Sequence, residues 1–183
     1  TEPFNQLRVI DQNHIPLKVI ATHCGTDVGQ DGKSHQMIDV IGLANGLLDF
    51  ELILPADPNQ TDHALRYLAE SRRPGILSLP RSHFPVLEKE EGGILFDEGY
   101  EYSYGNADWI RRGTSGTIIT YGIMVQKALK ARELLKQEGI SCGVLNVTAP
   151  KCLDMEKIRE AADTGLIVVA EDHNVNSGLG SMV

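Results

Sequence analysis

LKVIATHCGTDVGQDGKSHQ, at residues 17–36, places a short apolar strand directly before a loop with three glycines and two histidines. Two further aliphatic runs follow, ELILP at residues 51–55 and GILSL at residues 75–79. Helical patterns at about residues 36–47 and 58–71 separate the three strands. Strands that are apolar on both faces and alternate with helices are typical of a parallel sheet covered by helices. The sequence therefore predicts an α/β unit in this part of the chain.

A second set of strands and helices occupies the rest of the sequence. Strand patterns occur at SGTIITY (115–121), ISCGVLNV (140–147) and GLIVVAE (165–171), with helical patterns at about 123–138 and 154–163. The predicted fold class is α/β, with two parallel-sheet three-layer units. We expect the first unit to be truncated at its N-terminus and the second at its C-terminus.

An acidic stretch separates the two predicted units. Residues 88–108 contain seven Asp or Glu residues against a single basic Lys89, together with two adjacent glycines and three tyrosines. Charge runs of this kind usually form a solvated connection. We therefore predict a domain at residues 1–87, an acidic linker at 88–108 without a catalytic role, and a second domain at 109–183.

Composition and charge exclude several classes of protein. With 42% hydrophobic residues among 183, the chain can bury a core and disorder is not expected. A net charge of -8 without a run of Lys and Arg argues against nucleic acid and against an anionic membrane as partners. No apolar stretch approaches the roughly 20 residues that span a bilayer. Three cysteines without a CxxC pair suit reduced thiols, so we expect a cytoplasmic protein.

The candidate site lies where two predicted strands end. The loop from Thr22 to Gln36 follows the first strand, and Arg81 follows the strand at 75–79. In open parallel sheets ligands bind beyond the carboxyl ends of the strands, so His23 and Arg81 can face one ligand. Imidazole exchanges protons near neutral pH and an arginine fork binds phosphate oxygens, which suits a phosphorylated polyol. The alternative, ordinary loop or capping histidines at His23 and His35, stays open on these residues alone.

A metal site is the rival interpretation of the same loop. It would use the residues of metal-binding type, namely His23, Cys24, Asp27, Asp31 and His35. Their spacing matches no closed structural site, and an adjacent His-Cys pair cannot easily direct both side chains at one ion. We therefore predict no metal site in this chain.

The remaining histidines have more ordinary interpretations. His63 on a predicted helix and His83 on a loop are expected to be surface residues. His173 follows the last predicted strand, where it could serve an interface or the edge of a site.

The loop and several later motifs resemble transketolases. The resemblance rests on Thr22-His23, Gly29-Gln30-Asp31-Gly32, Ser34-His35-Gln36, Pro55-Ala56-Asp57, Leu79-Pro80-Arg81, Thr120-Tyr121-Gly122, Glu171-Asp172-His173-Asn174 and Gly178-Leu179-Gly180. It covers nearly the whole chain, as the end of a pyrimidine-binding domain followed by a C-terminal domain. Each motif alone is weakly specific, and the ensemble is what carries the resemblance.

The resemblance implies an enzyme that transfers a two-carbon ketol unit between sugar phosphates. It implies thiamine diphosphate and a divalent cation, usually Mg²⁺, as cofactors. His23 would meet the substrate phosphate or hydroxyls near the cofactor, and Asp31 would accept a hydrogen bond from a sugar hydroxyl. His35 would bind the reacting end of the substrate, and Arg81 would bind phosphate. His35 and His23 are thus the candidate catalytic residues.

The sequence also departs from the family pattern. Gln30 stands where an acidic residue is common, and Lys33 stands where a small residue or proline is common, so the local charge differs. The diphosphate-binding domain, the activating glutamate and the aromatic residues that hold the pyrimidine are absent. We therefore expect no tight cofactor binding and no turnover by this chain alone. A complementary N-terminal part or separate subunit would be needed, in a complete enzyme that is a homodimer.

Other functions remain open at this stage. Deoxyxylulose-phosphate synthase and the β subunit of 2-oxoacid dehydrogenases share the two-domain arrangement. The loop residues Asp31 to Gln36 with Arg81 favour a sugar phosphate over an oxo acid. From another class, the chain could be a non-catalytic assembly module that keeps the fold.

Overall fold

The computed structural model describes residues 2–183, which form two sheets flanked by helices. In chain order the elements are α1 (Glu2–Gln12), β1 (Lys18–Ala21), α2 (Val40–Asn45), β2 (Glu51–Ile53), α3 (Pro58–Glu70), β3 (Gly75–Ser78), β4 (Asp108–Arg111), β5 (Gly116–Thr120), α4 (Met124–Gln137), β6 (Cys142–Asn146), α5 (Met155–Ala162) and β7 (Ile167–Val169). Across these residues, no helix combines the length and the apolar character required for crossing a membrane.

Both sheets are built mainly from parallel strands. The first has the order β1-β3-β2 with parallel pairing throughout. The second has the order β4-β6-β5-β7, in which β5 pairs in parallel with both β6 and β7. The predicted α/β class is therefore confirmed. The strand β4 was not predicted from the sequence, and it lies antiparallel to β6 at the edge of the second sheet.

Local sequence signals set the ends of the longer helices. The Asp57 side chain accepts a hydrogen bond from the Gln60 N–H at 2.7 Å, which caps α3 as the Asp-Pro pair predicts. At the C-terminal end of α4, Gly139 has a φ of +78°, a conformation that glycine adopts without strain. Its N–H donates to the Lys136 carbonyl at 3.1 Å and terminates the helix.

The two sheets share one hydrophobic core. Leu52 of the first sheet and Ile119 and Leu145 of the second are fully buried in the same cluster. The two halves also share a backbone hydrogen bond, from the Leu54 N–H to the Thr148 carbonyl at 2.8 Å. Their relative placement is therefore fixed by packing and not only by the connecting chain.

The prediction that residues 88–108 are a solvated connection was wrong for the second part of that stretch. Its glutamates are exposed, as expected. Phe96, however, is buried, and the rings of Tyr102 and Tyr104 lie 5.3 and 6.3 Å from the ring of Tyr67 on α3. Aromatic side chains bury a large area, which outweighs the preference of the neighbouring carboxylates for water. The segment consequently packs along α3.

Asp108, the last residue of the predicted linker, is half-buried in a polar network. Its carboxylate accepts hydrogen bonds from Gln60 Nε2 at 2.7 Å and from the Tyr100 hydroxyl at 3.2 Å. Asn146 Nδ2 donates to Gln60 Oε1 at 3.1 Å, which extends the network to β6. Burial raises the pKa of Asp108 from 3.8 to about 6, although the two hydrogen bonds lower it in part.

Replacing Asp108 by asparagine is expected to stabilise the protein increasingly as the pH rises. The folded pKa of about 6 lies above the ordinary 3.8, so ionisation in the folded state costs free energy as the pH rises through this window. Between pH 5 and pH 7, Asp108→Asn should gain about 1 kcal/mol over the wild type, from the linkage relation. Urea unfolding across this range, with exposed Asp163→Asn as the control, measures it. A constant difference at all pH values would contradict the expectation.

Candidate functional site

His23 and Arg81 leave the same edge of the first sheet. β1 and β3 are parallel neighbours whose last residues, Ala21 and Ser78, are paired. Just beyond them the Cys24 N–H donates to the Leu79 carbonyl at 3.2 Å, so the two chain segments stay together past the strands. This is the edge where ligands bind in open parallel sheets.

The loop after β1 has a defined backbone course. Gly25 N–H donates to the Met37 carbonyl at 2.9 Å, which brings the two ends of the loop together. A short 3₁₀ turn at Gly29–Asp31 forms its middle. Non-glycine residues rarely adopt a positive φ, yet His23 has a φ of +64°, and its Nδ1 lies 3.0 Å from Thr22 Oγ1. Strained backbone of this kind clusters at functional sites.

Asp31 and Arg81 form an ion pair. Arg81 Nε lies 3.0 Å from Asp31 Oδ2, with the two side chains 36% and 34% exposed. Arg81 Nη1 lies beside Gly29, where an added Cβ would come within 3.6 Å of it. A guanidinium has five N–H donors, so Asp31 occupies only one side of the fork. The remaining donors suit a phosphate or another anion.

His35 lies on the same loop and remains exposed. The ring Nδ1 of His35 is 2.9 Å from Ser34 Oγ, and the backbone N–H of His35 donates to the Gly32 carbonyl at 3.1 Å. Of the four residues selected from the sequence, the structure thus brings Asp31 and Arg81 into contact. It places His23 at the adjoining strand end and His35 four residues beyond Asp31.

The histidines expected at the surface, His63 and His83, differ in their surroundings. His63 Nε2 lies 3.0 Å from the Asp97 carbonyl oxygen, and its ring meets that of Tyr100 edge to face. His83 is exposed in a groove that Arg81 also lines. His63 is therefore half-buried against the segment that follows β3, and its assignment to the surface is only partly right.

A small cavity lies between the loop and the second half of the chain. Cys24, Ser78 and Tyr121 line it, together with apolar side chains. Among residues 2–183, the buried hydroxyls of Ser78 and Tyr121 have no hydrogen-bond partner. Burial raises the pKa of the Cys24 thiol and of the Tyr121 hydroxyl, and the nearby carboxylates of Glu171 and Asp172 raise the Tyr121 pKa further. These groups therefore stay neutral at physiological pH.

Within residues 2–183, no three His, Cys, Asp or Glu side chains are arranged to hold a metal ion. The chemistry that the loop and Arg81 together can offer is recognition of a polar, anionic ligand. Arg81 carries a positive charge, the Asp31 carboxylate can accept hydrogen bonds from hydroxyls, and the imidazoles of His23 and His35 can donate, accept or transfer protons.

The contacts that the second half makes with this loop have no signal in the local sequence pattern. Asp172 Oδ1 accepts from Thr26 Oγ1 at 2.6 Å, and His173 Nε2 accepts from the Ile41 N–H at 3.1 Å. The expectation that His173 could serve an interface agrees with this contact. The sequence marks Asp172 only by its place in the motif after the last strand. It gives no sign of the contact with Thr26, because about 146 residues separate the two along the chain.

Comparisons with known proteins give matches over both halves. Residues 3–86 match the family described as the transketolase pyrimidine binding domain, and residues 105–183 match the transketolase C-terminal domain. A Methanocaldococcus jannaschii protein named putative transketolase C-terminal section is 33% identical over 91% of this chain and 50% of its own length. A 1-deoxy-D-xylulose-5-phosphate synthase of Heliobacterium modesticaldum is 32% identical over 90% of this chain and 25% of its own length.

A solved structure supports the same relationship. It is a split gene transketolase, described as an inactive beta4 tetramer, with a TM-score of 0.77 and 33% sequence identity. The match covers 90% of this chain and 51% of that chain. The chain therefore spans about half the length of the archaeal relative and about half of the solved chain.

Proposed function

Since the chain belongs to the transketolase family, as its pyrimidine-binding and C-terminal domains, we propose that it supplies the sugar-phosphate site of a thiamine-diphosphate-dependent transketolase. The observation that carries the proposal is the contact between Asp31 and Arg81 at the carboxyl edge of β1 and β3. One carboxylate beside one guanidinium suits a ligand with hydroxyls near a phosphate.

Each site residue has a role that fits its chemistry. Arg81 binds the phosphate of the substrate, and Asp31 accepts a hydrogen bond from a sugar hydroxyl. When the phosphate binds, the Arg81 guanidinium contacts both the Asp31 carboxylate and the phosphate, where before it contacted Asp31. His23 meets the phosphate or the hydroxyls near the cofactor, and His35 binds the reacting end, where an imidazole can transfer a proton or stabilise a developing alkoxide.

The cofactor is held mainly by a complementary part of the enzyme. Thiamine diphosphate, when bound, supplies the carbon chemistry of the transfer. The proposed partner is an N-terminal transketolase domain or subunit, in a complete enzyme that is a homodimer. We place the enzyme in the cytoplasm, where its three free cysteines stay reduced.

Turnover is expected only when the complementary part is present. The chain would be mixed with the N-terminal transketolase section of the same organism, thiamine diphosphate and Mg²⁺, and assayed with xylulose 5-phosphate and ribose 5-phosphate. Calorimetric titration of each part alone and of the mixture with the cofactor would accompany the assay. We expect neither turnover nor micromolar cofactor binding by the chain alone, and both by the mixture.

Three outcomes would contradict this proposal. Steady turnover by the chain of verified mass would show that it holds the cofactor unaided. Turnover of pyruvate with glyceraldehyde 3-phosphate, but not of the two pentose phosphates, would indicate the synthase activity named for the Heliobacterium relative. A mixture that assembles but transforms neither substrate pair would indicate a non-catalytic assembly module.

A further inference from the structure

The segment after β7, residues 171–174, forms hydrogen bonds with both ends of the loop that carries Asp31 and His35. At the first end, Asp172 Oδ2 accepts from the Thr26 N–H at 2.8 Å and Oδ1 accepts from Thr26 Oγ1 at 2.6 Å. At the second end, the Asn174 N–H and Nδ2 both donate to the Ile38 carbonyl, at 2.8 and 2.9 Å. The site loop is therefore bracketed by groups from the other half of the chain.

His173 adds a hydrogen bond between the same segment and the start of α2. Its Nε2 accepts from the Ile41 N–H at 3.1 Å, so Nδ1 carries the proton and donates to the Asn174 carbonyl at 3.0 Å. The imidazole is then in one defined neutral tautomer. Because Asn174 also binds Ile38, the same short segment contacts the loop end and the helix that follows it.

Residues 171–174 are themselves held in place by hydrogen bonds. Glu171 accepts from the Leu179 N–H at 2.6 Å and from the Gly180 N–H at 3.0 Å, and Asn174 Oδ1 accepts from Ser177 Oγ at 3.2 Å. Carboxylate bonds to backbone N–H groups are among the stronger protein hydrogen bonds. The segment therefore acts as a fixed support for the loop and not as a second mobile loop.

Close approaches show that the two surfaces are fitted to each other. A Cβ on Gly25 would lie 2.4 Å from Asp172 Oδ2, and a Cβ on Gly42 would lie 2.5 Å from Ser177 Oγ. A side chain at either position would force Asp172 or Ser177 to move out of its contact. Two glycines at two separate contact points thus allow the approach that the hydrogen bonds require.

We propose that Asp172, with His173 and Asn174, is the positioning group of the site loop, so that the C-terminal half orients residues that act in the pyrimidine-binding half. This inference rests on the proposed function for the role of the loop. Fixing both ends of a loop removes most of its conformational freedom before ligand binds, which lowers the entropy that binding must otherwise supply. Asp172 acts through Thr26 and touches no substrate itself.

Proteolysis at Lys33 tests the positioning role independently of catalysis. Lys33 is exposed within the loop, so the rate of trypsin cleavage after it reports how often the loop opens. Thr26→Val removes the hydroxyl donor to Asp172, and Thr26→Ser keeps it. We expect cleavage to accelerate about tenfold in Thr26→Val and in Asp172→Asn, consistent with the loss of one charged hydrogen bond. Thr26→Ser should remain close to the wild type.

Controls separate loop release from general unfolding. Asp163→Asn removes an exposed carboxylate of the second half that does not contact the loop, and cleavage after exposed Arg112 is the reference site. Cleavage at Lys33 that is unchanged in Thr26→Val and Asp172→Asn would overturn the proposal. Equal acceleration at Lys33 and Arg112, with a lower urea midpoint, would also overturn it, because the whole chain would then be unfolding.

Ligand binding adds a readout that separates this inference from the proposed function. In the assembled enzyme, Asp172→Asn should raise the KM for xylulose 5-phosphate more than it lowers kcat, and Asp163→Asn should change neither. If the assembly shows no transketolase activity, the proposed function fails while cleavage at Lys33 still decides the positioning role. If cleavage accelerates and KM does not change, the loop is held by Asp172 without orienting the substrate, and the inference fails alone.

Discussion

Replacing Arg81 by methionine is expected to raise the KM for xylulose 5-phosphate by about 100-fold in the assembled enzyme, with little change in kcat. Hydrogen bonds to charged groups are each worth about 1.5–3 kcal/mol, and a guanidinium offers two of them to one phosphate. Methionine keeps a long flexible side chain and removes every donor. Steady-state kinetics with xylulose 5-phosphate and with unphosphorylated xylulose measure the effect, since only the first substrate should lose affinity.

Two further variants define what Arg81 contributes. Arg72→Met removes an exposed arginine that precedes β3, at the opposite edge of the sheet, and should leave both substrates unaffected. Arg81→Lys keeps the charge but loses the planar fork, so its KM should fall between those of the wild type and Arg81→Met. An equal loss for phosphorylated and unphosphorylated xylulose would show that Arg81 does not read the phosphate.

The second large effect is expected from Gly25→Ala. Gly25 has a φ of +87°, which costs an L-residue about 1 kcal/mol or more. The new Cβ would also meet the Asp172 carboxylate at 2.4 Å, and overpacking of this kind costs typically about 1–3 kcal/mol. We therefore expect a loss of about 3 kcal/mol in the free energy of unfolding, measured with urea, together with faster cleavage at Lys33.

Gly165→Ala is the matched control for this substitution. Gly165 has a φ of +89°, and an added Cβ there would meet nothing within 4 Å. It therefore carries the backbone strain of Gly25→Ala without the collision, and it should cost about 1 kcal/mol. The difference between the two variants measures the close approach of the loop to Asp172. Equal losses in both variants would mean that the two halves are not held as closely as the structure describes.

Elements whose signals are local could be predicted from the sequence. The aliphatic runs at 17–22, 75–79 and 140–147 contain β1, β3 and β6, and the Asp57 cap places the start of α3 correctly. Period and capping depend on residues a few positions apart, so a single sequence contains them. The helix predicted at about 36–47 is shorter, at Val40–Asn45, because the loop that precedes it extends to the contact with Asn174.

Elements that depend on distant partners were missed. β4 is only Asp108–Arg111, with charged residues at both ends, and it becomes a strand because β6 offers an edge to pair with. The tyrosines after the acidic run have no local periodicity, and α3 determines how they pack. In the sequence Asp108 is one more carboxylate of an acidic run, and only the fold brings Gln60 of α3 and Asn146 of β6 into the network around it.

The sequence by itself determined the α/β class, the loop beyond β1 and the residue types that meet a ligand there. Only the tertiary structure decided that Asp31 pairs with Arg81 and that Asp172 holds Thr26. The reason is physical. A strand or a cap is stabilised by neighbours along the chain, whereas these contacts join residues about 50 and 146 positions apart. The first depends on the pairing of β1 with β3, and the second on how the two sheets pack around one core.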